Sequence, residues 1–148
     1  MKIVFFGTTD FAVASLDALV QAGHDVAAVV TNIDKLGGRG RKEVIESAVS
    51  KYASQKGLNV LKPKTLKGPK FLAKLKSLEA DLFVVIAFRM LPEQVWAMPP
   101  KGTVNVHGSL LPAYRGAAPI NWAIIRGEKL TGVSIFFLDK SIDTGNVI

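Results

Sequence analysis

Short apolar runs separated by amphipathic stretches set the pattern of this chain. Lys2–Phe6, Asp25–Thr31, Asp81–Ala87, Gly102–His107 and Gly132–Leu138 are rich in Val, Ile and Phe and lack polar alternation, which predicts strands buried on both faces. Helical spacing follows the first run. Thr9 or Asp10 can cap a helix whose buried face carries Phe11, Ala14 and Leu19, with Gly23 as its stop. A loop containing KLGGRGRK (Lys35–Lys42) leads into a second expected helix near Glu43–Gln55, ended by Gly57. A short strand in LNVLK, a lysine-rich helix over Pro69–Ser77, a short helix opened by Pro92 and a helix over Ala117–Arg126 complete the series.

Buried strands joined by helical crossovers predict an α/β fold: a Rossmann-like, mostly parallel sheet with helices on both faces. Ligands of such sheets sit beyond the carboxyl ends of the strands. The loops after Phe6, Thr31, Ala87, His107 and Leu138 are expected on that edge.

Composition narrows the class. A chain of 148 residues with 49% hydrophobic residues fits one domain with an ample core. No apolar run reaches the roughly 18 residues of a membrane span, and Asp10 closes the first run without a cleavage pattern, so a buried strand is expected there rather than a signal peptide. Cysteine is absent, which removes disulfides, a thiolate nucleophile and thiolate metal sites. With only His24 and His107 as imidazoles, far apart in sequence, no metal site is expected, and the default location is the cytoplasm.

Charge is regional. Of 19 Lys and Arg, twelve lie between Lys35 and Lys76, against only Glu43 and Glu46. Such a face draws polyanions by steering and phosphate contact. A solvated lysine face gives the same pattern, and charge alone leaves both open.

The candidate chemistry sits in NVHGSLLPAYRG (Asn105–Gly116) and DKSIDTG (Asp139–Gly145). Residues i and i+2 of a strand share a side, so Asn105 and His107 project together with Val106 turned into the core. An amide donor beside an imidazole suits a carbonyl that becomes an oxyanion. Neither is a covalent nucleophile, so direct attack by an amine or by water is implied. Asp143 stands in a tight-turn composition that can aim a carboxylate across the sheet edge at His107. Taken singly, a strand-end histidine holding a local hydrogen bond and an ordinary turn aspartate explain the same residues. GTTDFA lacks the G-x-G-x-x-G fingerprint and GGRGRK lacks P-loop spacing. Trp96 and Trp122 are expected in packing, and His24 at a helix end or the surface.

Together, FFGTTDFAVASLDAL, GRGRK, NVHGSLLPAYRGAAPI and TGVSIFFLDKSIDTG resemble the folate-dependent formyltransferases, covering most of the chain in the family's order. The similarity is greatest to members that formylate methionyl initiator tRNA in translation initiation. The resemblance implies a formyltransferase-type fold and a catalytic trio of Asn105, His107 and Asp143. It implies a folate pocket lined by Ser109, Leu110, Leu111 and Pro112, with Arg89, Met90 and Leu91 in the neighbouring loop. The implied donor is 10-formyltetrahydrofolate, without a metal. The implied acceptor is the α-amine of initiator methionyl-tRNA, met by Arg39, Arg41 and Lys42 on the basic loop of a monomer.

Three departures accompany it. AFRMLP (Ala87–Pro92) is one residue shorter than the AYGxxLP-type loop of many relatives, and EVIESAVSKYA follows GRGRK where relatives often have a proline-containing entry. The family's transferase domain also runs beyond the DTG loop into a barrel domain that holds tRNA. Residues 1–148 are therefore expected to be an N-terminal catalytic domain in truncated form. Rival readings are a sugar-nucleotide formyltransferase, for which the basic loop has no purpose, a 10-formyltetrahydrofolate hydrolase-like domain with water as acceptor, and an inactive folate-binding fragment. The purine-pathway enzyme fits worse, because GTTD replaces its glycine- and serine-rich phosphate loop.

Overall fold

The computed structural model describes residues 1–37, 40 and 43–148. In chain order the elements are β1 (Lys2–Gly7), α1 (Asp10–Gln21), β2 (Asp25–Val30), β3 (Lys35–Gly37), β4 (Glu43–Ile45), α2 (Ala48–Gln55), β5 (Val60–Leu61), α3 (Pro69–Ser77), β6 (Leu82–Ile86), α4 (Glu93–Trp96), β7 (Thr103–His107), α5 (Pro119–Ile125) and β8 (Ser134–Phe137). Six strands form one sheet in the order β5-β2-β1-β6-β7-β8, while β3 and β4 pair separately. Neighbours in the large sheet are parallel except β7 and β8.

The apolar run of β1 places it between β2 and β6, where both faces are covered. Ile3 and Phe5 join Ala12, Leu16, Val49 and Ala53 on the α1–α2 side. Val4 and Phe6 join Leu75, Phe83, Val85 and Val95 on the α3–α4 side. Phe5 and Phe6 are fully buried, each contributing about 1.5–3 kcal/mol of transfer free energy.

Three expectations are corrected. The inner stripe of α1 is Ala12, Leu16 and the partly buried Leu19, four and then three residues apart, whereas Phe11 is 42% exposed and Ala14 is exposed. At about 100° per residue, Phe11 and Ala14 fall off that stripe. Thr9 is the N-cap, but its side chain makes no capping hydrogen bond. The second helix starts at Ala48, not near Glu43, because Ser47 caps it by accepting from the Ser50 N–H at 3.0 Å. Glu43–Ile45 instead pairs with Lys35–Gly37.

The fifth long strand, β8, runs antiparallel to β7, with His107 opposite Ser134 and Val104 opposite Phe137. Its alternating burial marks an edge strand with one covered face. The loop after Leu138 therefore leaves from the edge opposite His107, not from the expected one. Trp96 packs on the core, but Trp122 is 48% exposed, against expectation. No helix among the described residues is long and apolar enough to cross a membrane.

Candidate active site

His107 closes β7 at the carboxyl edge and is 7% exposed. Asn105 precedes it on the same side of the strand, in register with Val85 of β6 and Phe136 of β8. Val104 and Val106 point the other way into the α1–α2 core. The amide of Asn105 makes no side-chain hydrogen bond among the described residues, so its donors are free for a ligand.

The His107 ring is held from two sides. Nε2 lies 2.8 Å from the Tyr114 carbonyl oxygen. A carbonyl can only accept, so Nε2 carries the proton. Nδ1 then faces the Asp143 carboxylate, with Oδ2 at 3.7 Å and both side chains largely buried. A proton on Nδ1 completes a charge pair there. The His107 ring also meets Phe136 edge-on, with centroids 6.4 Å apart.

Asp143 reaches this position by a chain reversal. After β8, Asp139 Oδ1 accepts from the Ser141 N–H and the Thr144 hydroxyl, each at 2.9 Å, which folds the loop. The chain then runs back along β8, pairing Val147 with Phe136. The Gly116 N–H donates to Asp143 Oδ2 at 2.8 Å, and Arg115 Nε donates to the Asp143 carbonyl at 2.9 Å. Tyr114, Ala118 and Asp143 all have left-handed backbones, with φ of 55°, 54° and 52°. Such conformations cost about 1–3 kcal/mol each away from glycine and concentrate where a site must be shaped.

Residues 109–112 form the loop that follows. Ser109 is fully buried, and its hydroxyl donates to the Ala113 carbonyl at 2.6 Å. It shapes the loop rather than offering a free hydroxyl. Ser134 stitches the loop to β8, donating to the Ser109 carbonyl at 2.8 Å and accepting from the Leu111 N–H at 3.0 Å. Leu110 and Pro112 are exposed and Leu111 half-buried.

The neighbouring 87–92 loop leaves β6 through Ala87, which is left-handed with φ 47°. Leu91 is buried in the α3–α4 core and Met90 is exposed. The guanidinium of Arg89 donates to the Pro63 carbonyl at 2.6 Å and the Lys64 carbonyl at 3.3 Å. Arg39, Arg41 and Lys42 lie outside the described residues. Among the described residues, no cluster of three His, Asp or Glu side chains suits a metal ion.

A family model described as "Formyl transferase" matches residues 1–148. The chain belongs to the formyl transferase family. It is 57% identical to the methionyl-tRNA formyltransferase of Flavobacterium psychrophilum, over 100% of this chain and 47% of that protein. It is 56% identical to the one of Parabacteroides distasonis, over 100% of this chain and 46% of that protein. The chain thus spans about half the length of the curated relatives it matches. Among solved structures, the phosphoribosylglycinamide formyltransferase of Anaplasma phagocytophilum superposes with a TM-score of 0.79 at 22% identity, covering 100% of this chain and 69% of that one. The enzyme of the same name from Bacillus halodurans gives 0.78 at 24%, covering 100% and 77%. These two likenesses share the formyl transferase fold.

Spacing alone gives no role to Tyr114, Gly116 or Ser134, which hold the candidate site together. Two of them act through backbone atoms, which leave no residue-type signature. The signal for Gly116 is its φ of 85°, a conformation that glycine adopts at little cost. An open depression of about 500 Å³ lies on the outer side of this loop, lined by Tyr114, Arg115, Trp122, Arg126 and Glu128. Neither Asn105 nor His107 lines it, so the side chains with carbonyl chemistry lie elsewhere. The Tyr114 hydroxyl donates to Glu128, and that hydrogen bond, with burial second, pushes the phenol up.

Proposed function

We propose that this chain carries the chemistry of methionyl-tRNA formyl transfer, moving the formyl group of 10-formyltetrahydrofolate to the α-amine of methionyl initiator tRNA. The observation that carries the reading is His107, held between Asp143 and a carbonyl acceptor two residues beyond the free amide of Asn105. The similarity to proteins named methionyl-tRNA formyltransferase supports the acceptor.

The residues at the edge suit the donor. Met90, Leu110 and the half-buried Leu111 give apolar surface on loops that emerge side by side from β6 and β7, beside the polar trio. Mostly apolar lining with a few placed polar groups is what a flat heteroaromatic ligand needs. Folate supplies the activated formyl group. Ser109, fixed by its own hydrogen bond, and Pro112 hold the loop for it.

In this reading the amine nitrogen attacks the formyl carbon, and negative charge develops on the formyl oxygen. The Asn105 amide donates to that oxygen. His107 donates through Nε2–H, with the formyl oxygen replacing the Tyr114 carbonyl as acceptor. Asp143, with Oδ2 3.7 Å from Nδ1, fixes the ring so that its Nε2 donor faces the developing oxyanion. Collapse of the intermediate breaks the bond to folate N10, and the proton lost by the amine ends on that nitrogen.

Arg39, Arg41 and Lys42 meet tRNA phosphates in this proposal, in keeping with the regional positive charge. Residues 1–148 serve as the N-terminal catalytic domain, acting in the cytoplasm, with a tRNA-holding barrel outside them. Transfer of labelled formyl from 10-formyltetrahydrofolate to methionyl initiator tRNA is the test, with uncharged tRNA and an amino sugar nucleotide as comparison acceptors. Transfer to methionyl-tRNA alone upholds the reading. Transfer to the sugar nucleotide or to water replaces it.

A further inference from the structure

The β3–β4 pair stands on the surface with little packing of its own. It has three residue pairs, and Leu36, Val44 and Ile45 are 65%, 65% and 50% exposed. Two-stranded pairs of this kind are marginal in water without outside support.

Support comes at the two feet. Asp34 directly precedes β3 and Glu46 directly follows β4. Lys62 Nζ donates to both oxygens of Asp34, at 2.7 and 2.9 Å, and to Glu46 Oε1 at 3.0 Å. One ammonium thus uses its three donors to hold both ends. Without it, two carboxylates would face each other where the pair must close. Thr31 and Ser47 add a hydroxyl contact at 2.7 Å just below, with Thr31 fully buried.

Lys62 is itself fixed. It follows β5, whose register with β2 is set by Val29–Val60 and Val30–Leu61, and the Thr31 N–H donates to the Leu61 carbonyl at 3.0 Å. Its next two residues are Pro63 and Lys64, whose carbonyls accept from Arg89. Burial pulls the Lys62 ammonium down, but the hydrogen bonds and charges of Asp34 and Glu46 outweigh it and leave it raised, so it stays charged at neutral pH.

We propose that Lys62 is the positioning residue that closes the β3–β4 pair and thereby sets affinity for the acceptor. The acceptor clause rests on the reading that Arg39, Arg41 and Lys42, which lie between these strands in sequence, meet tRNA. The 62–64 segment is then a fixed post, tied to the 87–92 loop by Arg89 and to the two feet of the β3–β4 pair by Lys62.

The test compares Lys62→Met, Lys62→Arg and Glu46→Gln. Amide exchange at 35–37 and 43–45 reads the strand pair, and the formyl-transfer assay reads acceptor KM and kcat. Lys62→Met is expected to speed exchange about fivefold, as for loss of a partly exposed ion pair, and to raise acceptor KM by a similar factor. Values of kcat at saturating acceptor and binding of a folate analogue should not move. Lys62→Arg should restore both readouts, and Glu46→Gln should shift them less in the same direction. Unchanged exchange in Lys62→Met overturns the closure. Faster exchange with unchanged acceptor KM, or an equal loss of folate binding, overturns its bearing on the acceptor. Full-length wild-type protein that transfers formyl to another acceptor and not to methionyl-tRNA overturns the acceptor reading itself, and exchange then decides closure alone.

Discussion

The backbone N–H of Gly116 donates to Asp143 Oδ2 at 2.8 Å, and that same oxygen faces His107 Nδ1 at 3.7 Å. The N–H fixes where the carboxylate sits, while the carboxylate itself brings the negative charge that faces the ring. Position and charge are therefore separable. Asp143→Asn keeps an acceptor oxygen for Gly116 and removes the charge. Its kcat should fall about 10²-fold or more, as for loss of a general acid–base partner, with Tm close to wild type. A variant that turns over normally would remove Asp143 from the chemistry.

Asn105 presents an amide with no side-chain partner among the described residues, from a strand fixed on both sides by β6 and β8. Asn105→Ala deletes donors without breaking a described hydrogen bond, so folding should be spared. Loss of one oxyanion donor typically costs about 10²–10³ in kcat. Steady-state kinetics beside circular dichroism separates the two effects, and wild-type turnover in a folded variant sinks the oxyanion role.

How the trio assembles also explains what the sequence could reveal. Continuous apolar runs located β1, β2, β6 and β7, because burial on both faces leaves a periodicity-free signature. The i, i+2 relation of Asn105 and His107 was legible for the same reason. The direction of β8 was not: an edge strand and a buried strand differ by the exposure of Ile135 and Phe137, which are apolar either way. Strand β4 reads as helix in the sequence because Glu43–Ile45 runs directly into a helical pattern, and the Ser47 cap that divides them is only one residue. The Tyr114 carbonyl and Gly116 N–H were illegible in principle, since every residue but proline carries both groups.

Gly145 shows how tightly the returning chain is held. A Cβ at this position would run into the Phe137 carbonyl oxygen, a backbone atom that cannot turn aside. Around Gly116 a Cβ has open space, and only the φ of 85° opposes a side chain. Gly145→Ala should therefore cost about 3 kcal/mol, the upper end for overpacking. Gly116→Ala should cost about 1 kcal/mol, for left-handed backbone alone. Urea unfolding of the two variants gives the order, and equal losses would contradict the clash.

The tie between α1 and α2 gives a pH dependence with a definite sign. The Tyr52 hydroxyl donates to Asp17 Oδ1 at 2.5 Å. Burial, then the hydrogen bond and charge of Asp17, push the Tyr52 phenol up to about 12 from an ordinary value of 10.0. The folded pKa exceeds the unfolded one, so the stabilisation is whole below about pH 10 and is lost as the pH climbs toward about 12. Tyr52→Phe should be less stable than wild type near pH 8, and the gap should narrow through that window. Lys62 also titrates at high pH but is common to both proteins, so it cancels in the difference. Urea midpoints at about pH 8, 10 and 11.5 measure the gap, and a gap that stays constant would leave the Tyr52–Asp17 hydrogen bond without energetic weight.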